Sequence, residues 1–152
     1  MTDRVIRIPA ATVEAGEARG LPLALAAPLS FWGGYDSAKG VIVEDSHPDR
    51  GASLRGRVLL MARAKGSSSS SSVLAEAIRN GTGPAAIVML ERDLIIALGA
   101  IVARELYGLV VPIAVVAAED WPRLVQAGAE LTVQAEEGGA ATVSWHHAPG
   151  GG

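Results

Sequence analysis

Val58-Leu59-Leu60-Met61, Ala85–Leu90 and Val110–Val116 are continuous apolar runs of strand length, and the segments between them carry apolar residues at helical spacing. A run that is apolar at every position offers no face to water, so it predicts a strand buried on both sides. After the first run, Val73, Leu74, Ala77 and Ile78 share one helical face, and Asn80-Gly81 ends that helix. After the second run, Leu94–Leu106 reads as a helix closed by Tyr107-Gly108. Strand, helix, strand, helix, strand in this order needs crossover connections, which set the strands parallel in one sheet with helices packed on it.

The flanks read as shorter pieces. Val5–Ile8 is rich in β-branched residues, while Leu21–Leu29 is apolar but interrupted by Pro22 and Pro28, which restricts it to an irregular or edge strand. Val41-Ile42-Val43 reads as a strand and Ser46–Gly51 as a turn-rich loop. Pro122 opens a short helix over Trp121–Ala127. Leu131–Val133 and Ala141–Trp145 read as an antiparallel hairpin around Gly138-Gly139, followed by a tail, Pro149–Gly152, that is expected to fray. No repeat or second domain is visible, so residues 1–152 are expected to form one α/β domain.

Composition narrows the chemistry. With 49% hydrophobic but only 4% aromatic residues, the core must be largely aliphatic. A formal charge of −3 and a pI near 5.6 give no long-range attraction to nucleic acid or to acidic membrane surfaces. Cysteine is absent, which excludes disulfides and thiolate ligation of zinc or an iron–sulfur cluster by this chain. Any such centre belongs to another polypeptide. Asp3, Glu14 and Glu17 interrupt the first twenty residues, unlike a signal peptide. The greasy stretches Leu94–Ala103 and Leu106–Ala118 fall short of the roughly 20 residues that cross a bilayer, so a soluble cytoplasmic protein is expected.

The six serines Ser67–Ser72 follow Gly66 and lie between a buried strand and an amphipathic helix. By composition alone they read as a flexible linker. By position they read as a helix N-terminus, where unpaired amides and the positive dipole end hold an anion or stabilise an ionised hydroxyl. A third reading makes one serine the N-cap and the others solvated filler.

Pro28-Leu29-Ser30-Phe31-Trp32-Gly33-Gly34-Tyr35-Asp36, Gly40-Val41-Ile42, His47-Pro48, Gly66 with its serines, and Gly83-Pro84-Ala85-Ala86-Ile87-Val88 occur in this order. Ile96, Gly99-Ala100-Ile101-Val102-Ala103 and Val111-Pro112 continue the series. The ordered set, spanning residues 28–115, resembles the small-subunit signature of the aconitase X family. That resemblance implies a swivelling β/β/α domain with a mostly parallel central sheet and added antiparallel strands. It also implies dehydration of a hydroxylated carboxylate in a heterodimer with a large subunit, which would hold an iron–sulfur cluster or iron. Aconitase-like enzymes with a Gly-Ser-Ser-Arg loop use its serine to take a proton from the substrate carbon. Carried over, this loop falls on Gly66, Ser67 and Ser68, with Ser67 as the base. Ser69 stands where that loop has a substrate-binding arginine, so carboxylate recognition must differ, with Lys65, Arg63 or the partner as alternatives. Of the substrates associated with the family, cis-3-hydroxy-L-proline is expected ahead of (R)-5-phosphomevalonate, and a non-catalytic anion-binding module is the alternative from another class.

The remaining candidates each have a plain structural reading. Gly33 and Gly34, followed by Asp36, read either as a ligand-binding loop or as a tight turn. His47 precedes proline in a loop and is expected to be structural ahead of contacting substrate. His146 and His147 are neighbours in a strand and point to opposite faces, so no metal site is expected there. Glu91-Arg92-Asp93, at a strand end before a helix, is expected to be a charged cap ahead of a site, and Gly99 to mark close packing of that helix on the sheet.

Overall fold

The computed structural model describes residues 4–147. The expected frayed tail, Pro149–Gly152, lies outside the described residues. In chain order the elements are β1 (Arg4–Glu14), β2 (Gly16–Gly20), β3 (Pro22–Ala24), α1 (Phe31–Gly34), β4 (Tyr35–Asp36), β5 (Val41–Ile42) and β6 (Val58–Leu60). They continue as α2 (Ser70–Asn80), β7 (Ala86–Met89), α3 (Leu94–Tyr107), β8 (Ile113–Val116), a 3₁₀ turn (Ala118–Asp120), α4 (Trp121–Val125), β9 (Leu131–Ala135) and β10 (Ala140–His147).

One sheet takes up eight strands in the order β2-β9-β10-β1-β8-β7-β6-β3. Its β8-β7-β6-β3 half is parallel, as the βαβαβ reading requires, and its β2-β9-β10-β1 half is antiparallel. The two halves join where β1 runs antiparallel to β8. Pro9 is tolerated inside β1 because β8 begins to pair only at Ala10, so the strand is flanked on one side there. The proline-interrupted segment supplies the edge strand β3, paired only with β6. β4 and β5 make a separate two-stranded ribbon.

Both faces of the parallel strands are dry. Leu59, Met61, Ile87, Met89 and Ile113 join Leu74, Ile96 and Ala100 of the two long helices on one face. Val58, Leu60, Val88 and Ala114 join Ile8, Val133, Val143 and Trp145 on the other. The second set comes from both halves of the sheet, so the sheet curls over itself to bury them. Leu109 and Val110 are exposed, and β8 starts at Ile113, just after Pro112, which has no N–H to give a ladder. β2 carries no apolar alternation and pairs only with β9, which is why its sequence, Gly-Glu-Ala-Arg-Gly, gave no signal.

Gly99 packs differently from its expected role. A Cβ there would meet Leu74 Cδ2 at 2.9 Å and the Ser71 carbonyl oxygen at 3.0 Å, so the close approach is to α2, not to the sheet. Helical spacing showed a small residue facing inward but not that the neighbouring helix, lying alongside on the same face, reaches it first. Among the described residues no helix is long and apolar enough to cross a membrane.

Candidate active site at the serine turn

The chain leaves β6 through Met61, whose N–H donates to the Val88 carbonyl, and reaches Gly66 at the carboxyl end of the parallel strands. Ligands in open α/β sheets bind at that edge. Gly66 has φ +102°, and a Cβ there would stand 2.0 Å from Ser30 Oγ and 2.6 Å from Ser30 Cβ. Only glycine allows this backbone and this contact.

The serines then divide by surroundings. Ser67 and Ser68 are exposed. Ser67 Oγ accepts the Ser69 N–H at 3.1 Å, and the Ser67 carbonyl accepts the Ser70 N–H at 3.0 Å. Ser69 is the N-cap residue but makes no side-chain cap bond. Ser70, only 2% exposed, accepts the Trp32 N–H on its hydroxyl at 3.0 Å. Ser71 donates to the Ser68 carbonyl at 3.0 Å. Ser70, Ser71 and Ser72 thus form the first turn of α2, and the run is not a linker.

Ser70 and Ser30 hold a second loop against this turn. Ser30 Oγ donates to the Trp32 carbonyl at 2.9 Å, and Gly33 turns the chain with φ +78°. A Cβ on Gly34 would lie 3.2 Å from Glu44 Oε1, so that carboxylate sits directly on the glycine. Glu44 Oε2 accepts from Lys65 Nζ at 3.0 Å. The Lys65 hydrogen bond is the main cause holding the Glu44 carboxyl below the usual carboxylate range, with a smaller contribution from the Ser30 backbone. Gly33, Gly34, Lys65, Gly66, Ser67 and Ser68 therefore converge on one edge.

Asp36 does not join them by its side chain. Its Oδ1 accepts the N–H groups of Ala38 and Lys39 at 3.0 and 2.9 Å, so the carboxylate closes the turn between β4 and β5. Arg63 pairs with Glu91 at 3.8 Å on the open surface. His47 is buried, with Nδ1 accepting the Asp49 N–H and Nε2 facing the Ala27 carbonyl, both at 3.0 Å. These bonds put its proton on Nε2 and make it a structural bridge. Asp93 caps α3 by accepting from Ile95 and Ile96, each at 2.9 Å. His146 and His147 line a concavity of about 730 Å³ with Arg4 and Arg123, apart from the serine turn.

The turn is exposed at Gly66, Ser67 and Ser68. Concavities of about 730, 380 and 190 Å³ are all lined by other residues. Beside the serines, Trp32 is 58% exposed. Gly99 abuts Ser71, so Leu94, five residues earlier on α3, stands about 7.5 Å further toward the same edge. Leu94 is 79% exposed. The chain has no cysteine, and among the described residues no three His, Asp or Glu side chains cluster to hold a metal, so these residues do not fit an iron–sulfur centre.

Sequence reasoning missed Ser70 as a clamp and Glu44 altogether. Ser70 was hidden among identical neighbours. Glu44 has no motif, and only the pairing that brings residues 34 and 44 together reveals it.

The Aconitase X swivel domain family profile matches residues 7–142. The cis-3-hydroxy-L-proline dehydratase of Pseudomonas aeruginosa is 44% identical over 127 residues, which is 79% of this chain but 22% of that protein. This chain thus spans about a fifth of that relative's length. The phosphomevalonate dehydratase small subunit of Methanothermobacter thermautotrophicus is 39% identical over 126 residues, covering 83% of this chain and 92% of that one. The crystal structure of Thermococcus kodakaraensis aconitase X in its holo-form aligns with a TM-score of 0.75 at 28% identity, over 90% of this chain and 98% of that one.

Proposed function

Since the chain belongs to the aconitase X swivel-domain family, we propose that it is the small subunit of a hydro-lyase that dehydrates cis-3-hydroxy-L-proline, with Ser67 as the general base. The observation that carries this reading is the state of Ser67: its hydroxyl is exposed at the carboxyl edge of the parallel strands while its oxygen accepts an amide N–H at the start of α2.

A serine hydroxyl is far too weak an acid to ionise unaided at neutral pH, so the alkoxide needs donors already in place. The Ser69 N–H supplies one at 3.1 Å. The positive end of α2 and the neighbouring Lys65 ammonium supply favourable potential. Ser67 takes the proton from the substrate carbon, the hydroxyl departs from the adjacent carbon, and a double bond forms between them. Gly33, Gly34, Gly66, Ser68 and Lys65 line the substrate side, and Asp36 closes the turn between β4 and β5. Lys65 takes over the carboxylate contact that Ser69 cannot make as an uncharged residue.

The partner is a large subunit, and the iron–sulfur cluster or iron of the reaction is a property of that subunit in this reading. When bound, it supplies Lewis acidity to the departing hydroxyl. Exposed Trp32 and Leu94 beside the serine turn support such a partner, because large apolar side chains flanking a polar site mark a surface that is covered in the working state. A cytoplasmic heterodimer is the proposed form. Phosphomevalonate is the second reading, favoured by a relative that matches this chain over 92% of its own length. The test is to co-purify the chain with a cysteine-bearing large subunit and assay water loss from both substrates. Turnover of hydroxyproline supports the first reading, turnover of phosphomevalonate the second, and turnover of neither by an iron-loaded complex rejects both.

A further inference from the structure

We propose that Glu44 is a positioning residue, which holds the Lys65 ammonium beside Gly34 so that it receives the carboxylate of the substrate. The inference rests on the functional reading above and deepens it. Glu44 links the Gly34 turn to Lys65, the residue just before Gly66. Its Oε1 lies against Gly34 and its Oε2 takes the Lys65 ammonium at 3.0 Å. Ser30, whose side chain abuts Gly66, contributes through its backbone to the low proton affinity of the carboxylate. The Glu44 side chain is 19% exposed, so its place is set by these contacts more than by water.

A free lysine side chain samples many rotamers, and its charge is spread over a wide arc. One charge-assisted bond at the ammonium removes most of that freedom and leaves two N–H donors. Those donors meet an incoming carboxylate without the ordering cost of an untethered lysine. The arrangement offers a physical substitute for an arginine at position 69: a fixed guanidinium is replaced by a lysine fixed through a carboxylate. The titratable side chains near Glu44 are Lys65, bound to its carboxylate, and His47, whose backbone N–H donates to the Glu44 carbonyl at 3.1 Å.

The experiment uses the complex with its large subunit. Glu44→Gln keeps the size and an oxygen acceptor for Lys65 but loses the charge. The expected result is a KM for the hydroxy acid raised about tenfold with kcat within about threefold of the parent. In a Lys65→Met background the same substitution should add nothing, because the ammonium it positions is gone. A full effect in that background, or no change of KM in the parent, overturns the proposal. A parent complex that turns over neither substrate instead rejects the functional reading, and a second readout then decides the tether alone.

Lys39 and Lys65 are the only lysines in the sequence, so reductive methylation of this chain with a ¹³C label, before it is assembled with an unlabelled large subunit, gives two side-chain signals. The Lys65 signal should shift as Glu44 takes up its proton, below the usual carboxylate range. Lys39 serves as the internal control. In Glu44→Gln this step should vanish with the fold intact, and its survival overturns the proposal without reference to activity.

Discussion

At the residue scale, Ser67 and Tyr35 are opposite cases, an exposed hydroxyl proposed for chemistry and a buried one that holds the fold. Ser67 has an exposed hydroxyl with an amide donor, and its replacement by alanine in the assembled enzyme should lower kcat by about 10²–10⁴-fold, the usual size of a general-base effect. Subunit association should be unchanged. Near-normal turnover of Ser67→Ala would reject the assignment, while a loss centred on Ser68 would move it by one residue. Tyr35 is the opposite case. Its buried hydroxyl donates to the Thr82 carbonyl at 2.6 Å and accepts the Leu54 N–H at 3.2 Å. Tyr35→Phe leaves both groups without a partner and should cost about 1–3 kcal/mol in chemical denaturation, with catalysis retained. Desolvation is the main cause pushing the Tyr35 phenol above its ordinary value of 10.0. Folding therefore favours the neutral phenol. That contribution is complete below pH 10.0 and is lost as pH rises through the raised folded value. The alkaline fall in stability should be shallower in Tyr35→Phe.

At the element scale, the serine turn is placed by two glycines that fit different neighbours. Gly66 permits the contact with Ser30, and Gly99 lets α3 lie against the Ser71 carbonyl. A Cβ at Gly99 meets backbone that cannot rotate away. Gly99→Ala, which would gain about 1 kcal/mol of helix propensity in open space, should here be destabilising and should lower kcat by displacing the first turn of α2. Thermal denaturation and turnover of the complex check the two parts, and a more stable, fully active Gly99→Ala would show that the helices separate freely. The boundaries of α3 and α2 were legible because caps carry local signals, Asp93 at one start and Gly81 and Gly108 at the ends. The start of α2 was not, since six identical residues give periodicity nothing to mark.

At the scale of the whole molecule, the proposed site is one side of a pair with the large subunit. The edge carrying the serine turn is exposed, flanked by Trp32 and Leu94, and among the described residues no three His, Asp or Glu side chains cluster to hold a metal. The isolated chain should bind substrate weakly and turn over none. Trp32→Ala and Leu94→Glu should each weaken association with the large subunit by about 2 kcal/mol, the scale of a buried apolar anchor, while leaving the melting temperature of the free chain unchanged. Calorimetric titration reads the first and thermal scanning the second. Undiminished association of the double variant would place the interface elsewhere.

The βαβαβ order, the edge character of the proline-interrupted strand, the closing hairpin and the glycine–serine turn were written in the sequence. Each depends on residues near one another in the chain, through periodicity, missing N–H groups or turn chemistry. The three-dimensional structure alone decided that β1 joins the parallel and antiparallel halves. It likewise decided that the sheet curls, that Gly99 faces a helix, and that Glu44 reaches Lys65 across the site. Those contacts join residues far apart in sequence. Burial and charge select them only when the whole chain competes for the same interior, and no local pattern carries that competition.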